Sequence, residues 1–229
     1  LILISLYHAF FAFFGVFLLV IVILIFWITA AGGLQTSLKE SKHNYSEQEQ
    51  IQRNLLANAM LFFSRGVPVI YYGDEQGFVG DGNDQAARED MFPSVTDSYN
   101  DNDLIGSDAS TATDNFDTAH PLYAMIKEFA AVRKAHPALA RGVQTVRTYA
   151  LEPGLFSASR IDEDTGAEYL VAFNTSDKPL TVRSRIGYDA RALESLIGAC
   201  PATIEAPGSA KLELPAFGYA ICRVSETAE

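Results

Sequence analysis

Two adjacent acids, Asp74 and Glu75, directly follow the run Gly66-Val67-Pro68-Val69-Ile70-Tyr71-Tyr72-Gly73. Polar residues just past the C-terminal end of a buried strand are where parallel α/β folds bind ligands. Asp74 and Glu75 hold that position if the run is such a strand. If strand geometry continues through them, their side chains point to opposite faces, so they do not form an opposed pair working on one bond. Further on, Asp84 and Arg88 offer a carboxylate and a guanidinium four residues apart, a spacing that by itself fits a loop salt bridge.

Other chemistries find little support. Asp97, Asp101, Asp103, Asp108, Asp114 and Asp117 form an acidic run that lacks the fixed spacing and closing Glu of a calcium loop, so it reads as a solvated loop. The four histidines form no H-E-x-x-H pair, and there is no G-x-S-x-G elbow. The two cysteines, Cys200 and Cys222, make no C-x-x-C motif, which argues against zinc or iron–sulfur. A disulfide between them stays open, but the frequent burial of lone cysteines favours two separate small hydrophobes. No cofactor or metal site is expected. The net charge of −11 argues against a nucleic-acid partner.

The run that carries the acids has no charge from Val67 to Tyr72 and no period-2 alternation, which predicts a strand buried on both faces. A helix is predicted before it, from Ser46 as N-cap, with Glu47 and Glu49 in its first turn, to Arg65-Gly66. The polar stretch Phe78 to Thr118 reads as a long loop of functional type. A second amphipathic helix begins at Pro121, with Leu122, Met125, Ile126, Phe129 and Val132 on one face. Arg133, Lys134 and His136 crowd its end, and Pro137 stops it. From Val143 the pattern turns to short strands: Val143–Ala150, Leu155–Arg160, Tyr169–Asn174, Leu180–Arg183, Thr203–Glu205, Lys211–Leu214 and Tyr219–Val224. This predicts a small antiparallel sandwich or barrel. Tyr149, Phe156, Tyr169 and Tyr219 fall in its strand patterns and read as core.

The segment Gly66 to Glu75 closely resembles the eighth-strand motif of the α-amylase family, glycoside hydrolase family 13. Gly82-Asn83-Asp84-Gln85-Ala86-Ala87-Arg88-Glu89 resembles the substrate-loop motif that follows it. Val132-Arg133-Lys134-Ala135-His136-Pro137-Ala138-Leu139 and Leu170-Val171-Ala172-Phe173-Asn174 continue the likeness in the same order, over about Ser46 to Val224. The resemblance implies a (β/α)8 barrel with a C-terminal sandwich, a retaining mechanism, and α-glucan or maltooligosaccharide as substrate of the complete enzyme. It implies that Glu75 lines the site and that Asp84 and Arg88 contact sugar hydroxyls, a carboxylate accepting and a guanidinium donating. Tyr71 and Tyr72 read as barrel core. None of the three catalytic acids of the family is found, and the family's Asn-His-Asp motif ahead of the Ser46 helix is missing.

The expected fold class is therefore an α/β fragment of a (β/α)8 barrel followed by an all-β antiparallel sandwich, with an N-terminal hydrophobic helix. Residues 1–31 carry no Asp, Glu, Lys or Arg and exceed the about 20 residues that span a bilayer. They read as a transmembrane helix, or else as buried core or a segment foreign to the rest. Residues 32–45 read as a linker, 46–142 as the barrel fragment and 143–229 as the sandwich. A barrel needs roughly 250 residues, so one inner strand cannot close it. The expectation is the C-terminal portion of an amylase-type enzyme with no catalytic residue of its own. The alternative is a non-catalytic membrane-anchored protein with an amylase-like ectodomain. Localisation follows residues 1–31: membrane if they are native, secreted or periplasmic otherwise.

Overall fold

Ser46 sets the start of the first helix. Its hydroxyl accepts from the Glu49 N–H at 3.3 Å, and Glu47 and Glu49 place negative charge in the first turn. The computed structural model describes residues 45–80 and 87–225, and this helix, α1, runs Glu47–Phe63. It stops slightly short of the expected Arg65-Gly66, with Ser64 as C-cap. Pro121 opens α3 (Pro121–Ala135) after the four-residue helix α2 (Asp97–Asn100), and Pro137 opens α4 (Pro137–Arg141). Proline at the first helical position loses no bond, since that N–H has no intrahelical partner.

Among the described residues seven strands follow: β1 Val143–Tyr149, β2 Leu155–Ile161, β3 Glu168–Asn174, β4 Leu180–Arg185, β5 Ala192–Ile197, β6 Ser209–Leu214 and β7 Tyr219–Ser225. Every pairing is antiparallel. One sheet has the order β1-β2-β3-β7-β5 and the other is the pair β4-β6. The expected antiparallel architecture is thus present.

Strand β3 shows how the core is organised. Tyr169, Val171 and Phe173 join a cluster with Phe63 and Phe129 of the helices. Leu170 and Ala172, on the opposite face, join Leu212 and Leu214 of the small sheet. The period of two in a strand separates these sets, so β3 is apolar throughout because both its faces are covered. Phe129 is the hub on the helical side, edge-on to Phe63 at 5.4 Å and to Tyr219 at 5.5 Å.

The chain divides into two compact units. The helices α1, α3 and α4 and both sheets belong to one, formed by Ser46–Gly77, Ile105–Ser107 and the chain from Phe116 on. The other contains Phe78–Leu104 and Asp108–Asn115. Within this second unit the loop is stitched by its own backbone: Ser94 N–H donates to Thr111 at 2.8 Å and Asn115 N–H to Met91 at 2.9 Å. Asp97, Asp101, Asp103, Asp108 and Asp114, and Asp117 of the first unit, are all exposed.

Four expectations are corrected. The run Val67–Tyr72 is not a buried strand: Val67 is 84% and Val69 75% exposed, and Tyr71 and Tyr72 are exposed where core positions were expected. A strand exists only through its neighbours' N–H and C=O groups, and among the described residues no strand lies beside this run. Thr203–Glu205 forms no strand: its Ile204 N–H donates to Arg191 O at 2.8 Å, just ahead of β5, and β5, unrecognised in the sequence, takes the place beside β7. Tyr149 is exposed instead of core. Cys200 and Cys222 form a disulfide, with Cα atoms 6.0 Å apart, instead of standing as separate hydrophobes. The hydrophobic helix expected over residues 1–31 lies outside the described residues; among those described, no helix is long and apolar enough to cross a membrane.

Candidate functional site

The site expected from the sequence begins where α1 ends. From Ser64 the chain passes through the exposed run to Gly73, which adopts φ 92°, a left-handed conformation open to glycine. A short 3-10 turn, Asp74–Gln76, follows and closes at Gly77, φ 75°. A Cβ on Gly77 would collide with the Ile105 carbonyl oxygen. Instead, Ile105 N–H donates to the Gly77 oxygen at 2.9 Å.

Both acids are turned onto their own backbone. Asp74 Oδ2 accepts the Tyr71 N–H at 3.0 Å, and Glu75 Oε2 accepts the Gly73 N–H at 3.1 Å. They stabilise the turn as acids at a helical N-terminus do. Burial lifts the Asp74 carboxyl above its ordinary range; the Tyr71 N–H opposes this, and the neighbouring Glu75 charge adds to it.

The turn is clamped by residues the sequence did not single out. Gln76 is buried; its Nε2 donates to the Asp117 carbonyl at 3.0 Å and its Oε1 accepts the Asp117 N–H at 2.9 Å. His120, also buried, accepts the Leu122 N–H on Nδ1, so its Nε2 carries the proton bonded to Ile105 O at 2.9 Å. A side-chain amide pairing with a distant peptide leaves no periodic trace in a sequence, and only the adjacency of Gln76 to the two acids hinted at it.

The three expected sugar-contact residues fare differently. Glu75 lies in this turn. Arg88 is exposed and belongs to the other unit, and Asp84 lies outside the described residues. Among the described residues no group of three His, Cys, Asp or Glu is placed to hold a metal.

Over 145 residues, 63% of its length, the chain is 48% identical to an alpha-amylase of Streptomyces lividans. The chain is related to the α-amylase family. It is also 32% identical over 133 residues to a beta/alpha-amylase of Paenibacillus polymyxa. No protein-family model matches. The α-amylase-type fold is seen in the crystal structure of an Anoxybacillus alpha-amylase, at TM-score 0.57 and 19% identity, covering 79% of this chain and 34% of that one. The match covers 16% and 8% of the two curated relatives, so this chain corresponds to a minor part of an α-amylase-type protein.

Proposed function

We propose that this chain is the C-terminal portion of an α-amylase-type glycoside hydrolase acting on α-linked glucans, and that it does not cleave them alone. The observation that carries this reading is the run Val67–Tyr72. It leads into a glycine-bounded acidic turn, yet Val67, Val69 and Ile70 make no hydrogen bond to a neighbouring strand among the described residues. An inner barrel strand without its neighbours has this appearance.

A retaining glycosidase needs two carboxyls about 5 Å apart across the scissile bond. Asp74 and Glu75 instead each bind the backbone of their own turn. In the complete enzyme the role left for Glu75, together with Asp84 and Arg88, is to bind and orient sugar hydroxyls. The reacting acids then come from strands other than this one. The test is reducing-sugar release from soluble starch by the purified chain, which is expected to stay at the buffer level.

A further inference from the structure

A cavity of about 390 Å³ opens between α1, α3 and the turn joining β6 to β7, entirely inside the unit of helices and sheets. Three polar side chains border it: Gln52 of α1, Glu128 of α3 and Tyr219 at the start of β7. Within the protein none of the three side chains has a hydrogen-bond partner among the described residues. Leu55, Met125 and Ile197 supply an apolar floor.

The rim is rigid. Phe217 sits in the turn with φ 52°, a left-handed conformation that costs a non-glycine residue energy and persists only when its surroundings enforce it. Here the enforcement is visible. The Phe217 N–H donates to Ser176 O at 3.0 Å, and its buried ring lies 4.2 Å from the Arg53 guanidinium. The Tyr219 ring is locked edge-on to Phe129, which leaves its hydroxyl as the variable group.

The lining presents an acceptor-only carboxylate, an amide that donates and accepts, a phenol and an apolar patch. That set matches a neutral sugar ring, whose hydroxyl edges need donors and acceptors and whose C–H face needs an apolar surface. The one formal charge of the lining is negative, which disfavours phosphates and carboxylates. The volume is at the small end for ligand sites. We propose that this cavity is a second carbohydrate site, built from residues other than Glu75, Asp84 and Arg88, that takes one or two neutral pyranose units. It rests on the α-glucan reading for the identity of the sugar. Burial, with Glu128 adding to it, lifts the Tyr219 hydroxyl to about 12, so this hydroxyl keeps its proton as a donor.

The chain has three methionines, and Met125 alone of them borders the cavity. Carbon-13-labelled methionine methyls in the full chain, kept in detergent, therefore give one reporter and two controls, Met60 and Met91. Maltose titration is expected to move the Met125 signal saturably, with half-saturation in the millimolar range, while Met60 stays still. Tyr219→Phe and Glu128→Ala should each weaken this response roughly fivefold, the loss of one hydrogen bond. Unchanged resting Met60 and Met91 signals in both variants will report a retained fold, and Gln52→Leu provides a third variant on a partly exposed helical position. An unresponsive Met125, a shift at Met91 alone, or undiminished binding in all three variants overturns the proposal. Such a failure leaves the α-glucan reading standing, because that reading rests on the run Val67–Tyr72 and its acidic turn and not on this cavity.

Discussion

Arg133 donates from Nη2 to the Gly66 carbonyl oxygen at 2.6 Å, fixing the residue from which the exposed run Val67–Tyr72 departs. The same guanidinium donates to Phe62 O and, at 2.9 Å, to Leu139 O, so one side chain holds the ends of α1 and α4 and the start of the run. Lysine carries the charge but not the planar fork. Arg133→Lys is expected to lower stability by about 1–2 kcal/mol, read as a lower urea midpoint with an unchanged slope.

Arg160 is a second case of charge held by helix ends. It is 1% exposed and donates to Gly142 O at 2.9 Å and Phe63 O at 3.4 Å. Burial lowers its proton affinity, and Arg133 and Arg65 lower it further. The carbonyls at the ends of α1 and α4 carry the partial negative charge that offsets it. Arg160→Ala combines a cavity with lost bonds and should cost about 3 kcal/mol. Arg160→Met keeps most of the volume and removes the buried charge, so its loss should be clearly smaller. Chemical denaturation of both variants under the same conditions gives the comparison.

The Cys200–Cys222 bridge closes a loop with sequence separation 22. Loop-closure entropy assigns such a link about 3 kcal/mol. Reduction by dithiothreitol, or Cys200→Ala, should lower the melting temperature by several degrees, and the Ala variant should no longer respond to reductant.

Tyr219 gives a pH dependence of definite sign. Its hydroxyl titrates near 10 in the unfolded chain and at about 12 in the fold. Below about 10 both states hold the proton, so the tyrosine's full contribution is present. As pH rises from about 10 to about 12 the unfolded state loses its proton first, and stability falls by up to about 2 kcal/mol. Tyr219→Phe removes this slope, which denaturant titrations at stepped alkaline pH will show as a shallower fall than in the parent chain.

How much was legible in the sequence follows from how local each signal is. The start of α1 at Ser46 and of α3 at Pro121 rest on capping and proline chemistry within a few residues, and both lie where expected. Six of the seven strands were readable for the same reason, since alternation and turn residues are local. Strand β5 was not, because Ala192–Ile197 contains Leu, Glu and Ala, which favour helix, and only pairing with β7 makes it extended. The exposure of Val67 and Tyr71 was equally hidden, since it depends on which strands stand beside them. The site was legible in part: Glu75 was picked out by its motif, while the Gln76 and His120 clamps and the cavity beside Tyr219 arise from residues far apart in the chain.

The central claim is that this polypeptide carries amylase-type elements without the means to cut glucan. Incubating the purified chain with maltooligosaccharides and measuring new reducing ends tests it most directly. The account predicts release indistinguishable from the enzyme-free control, whereas sustained turnover well above that control would contradict it.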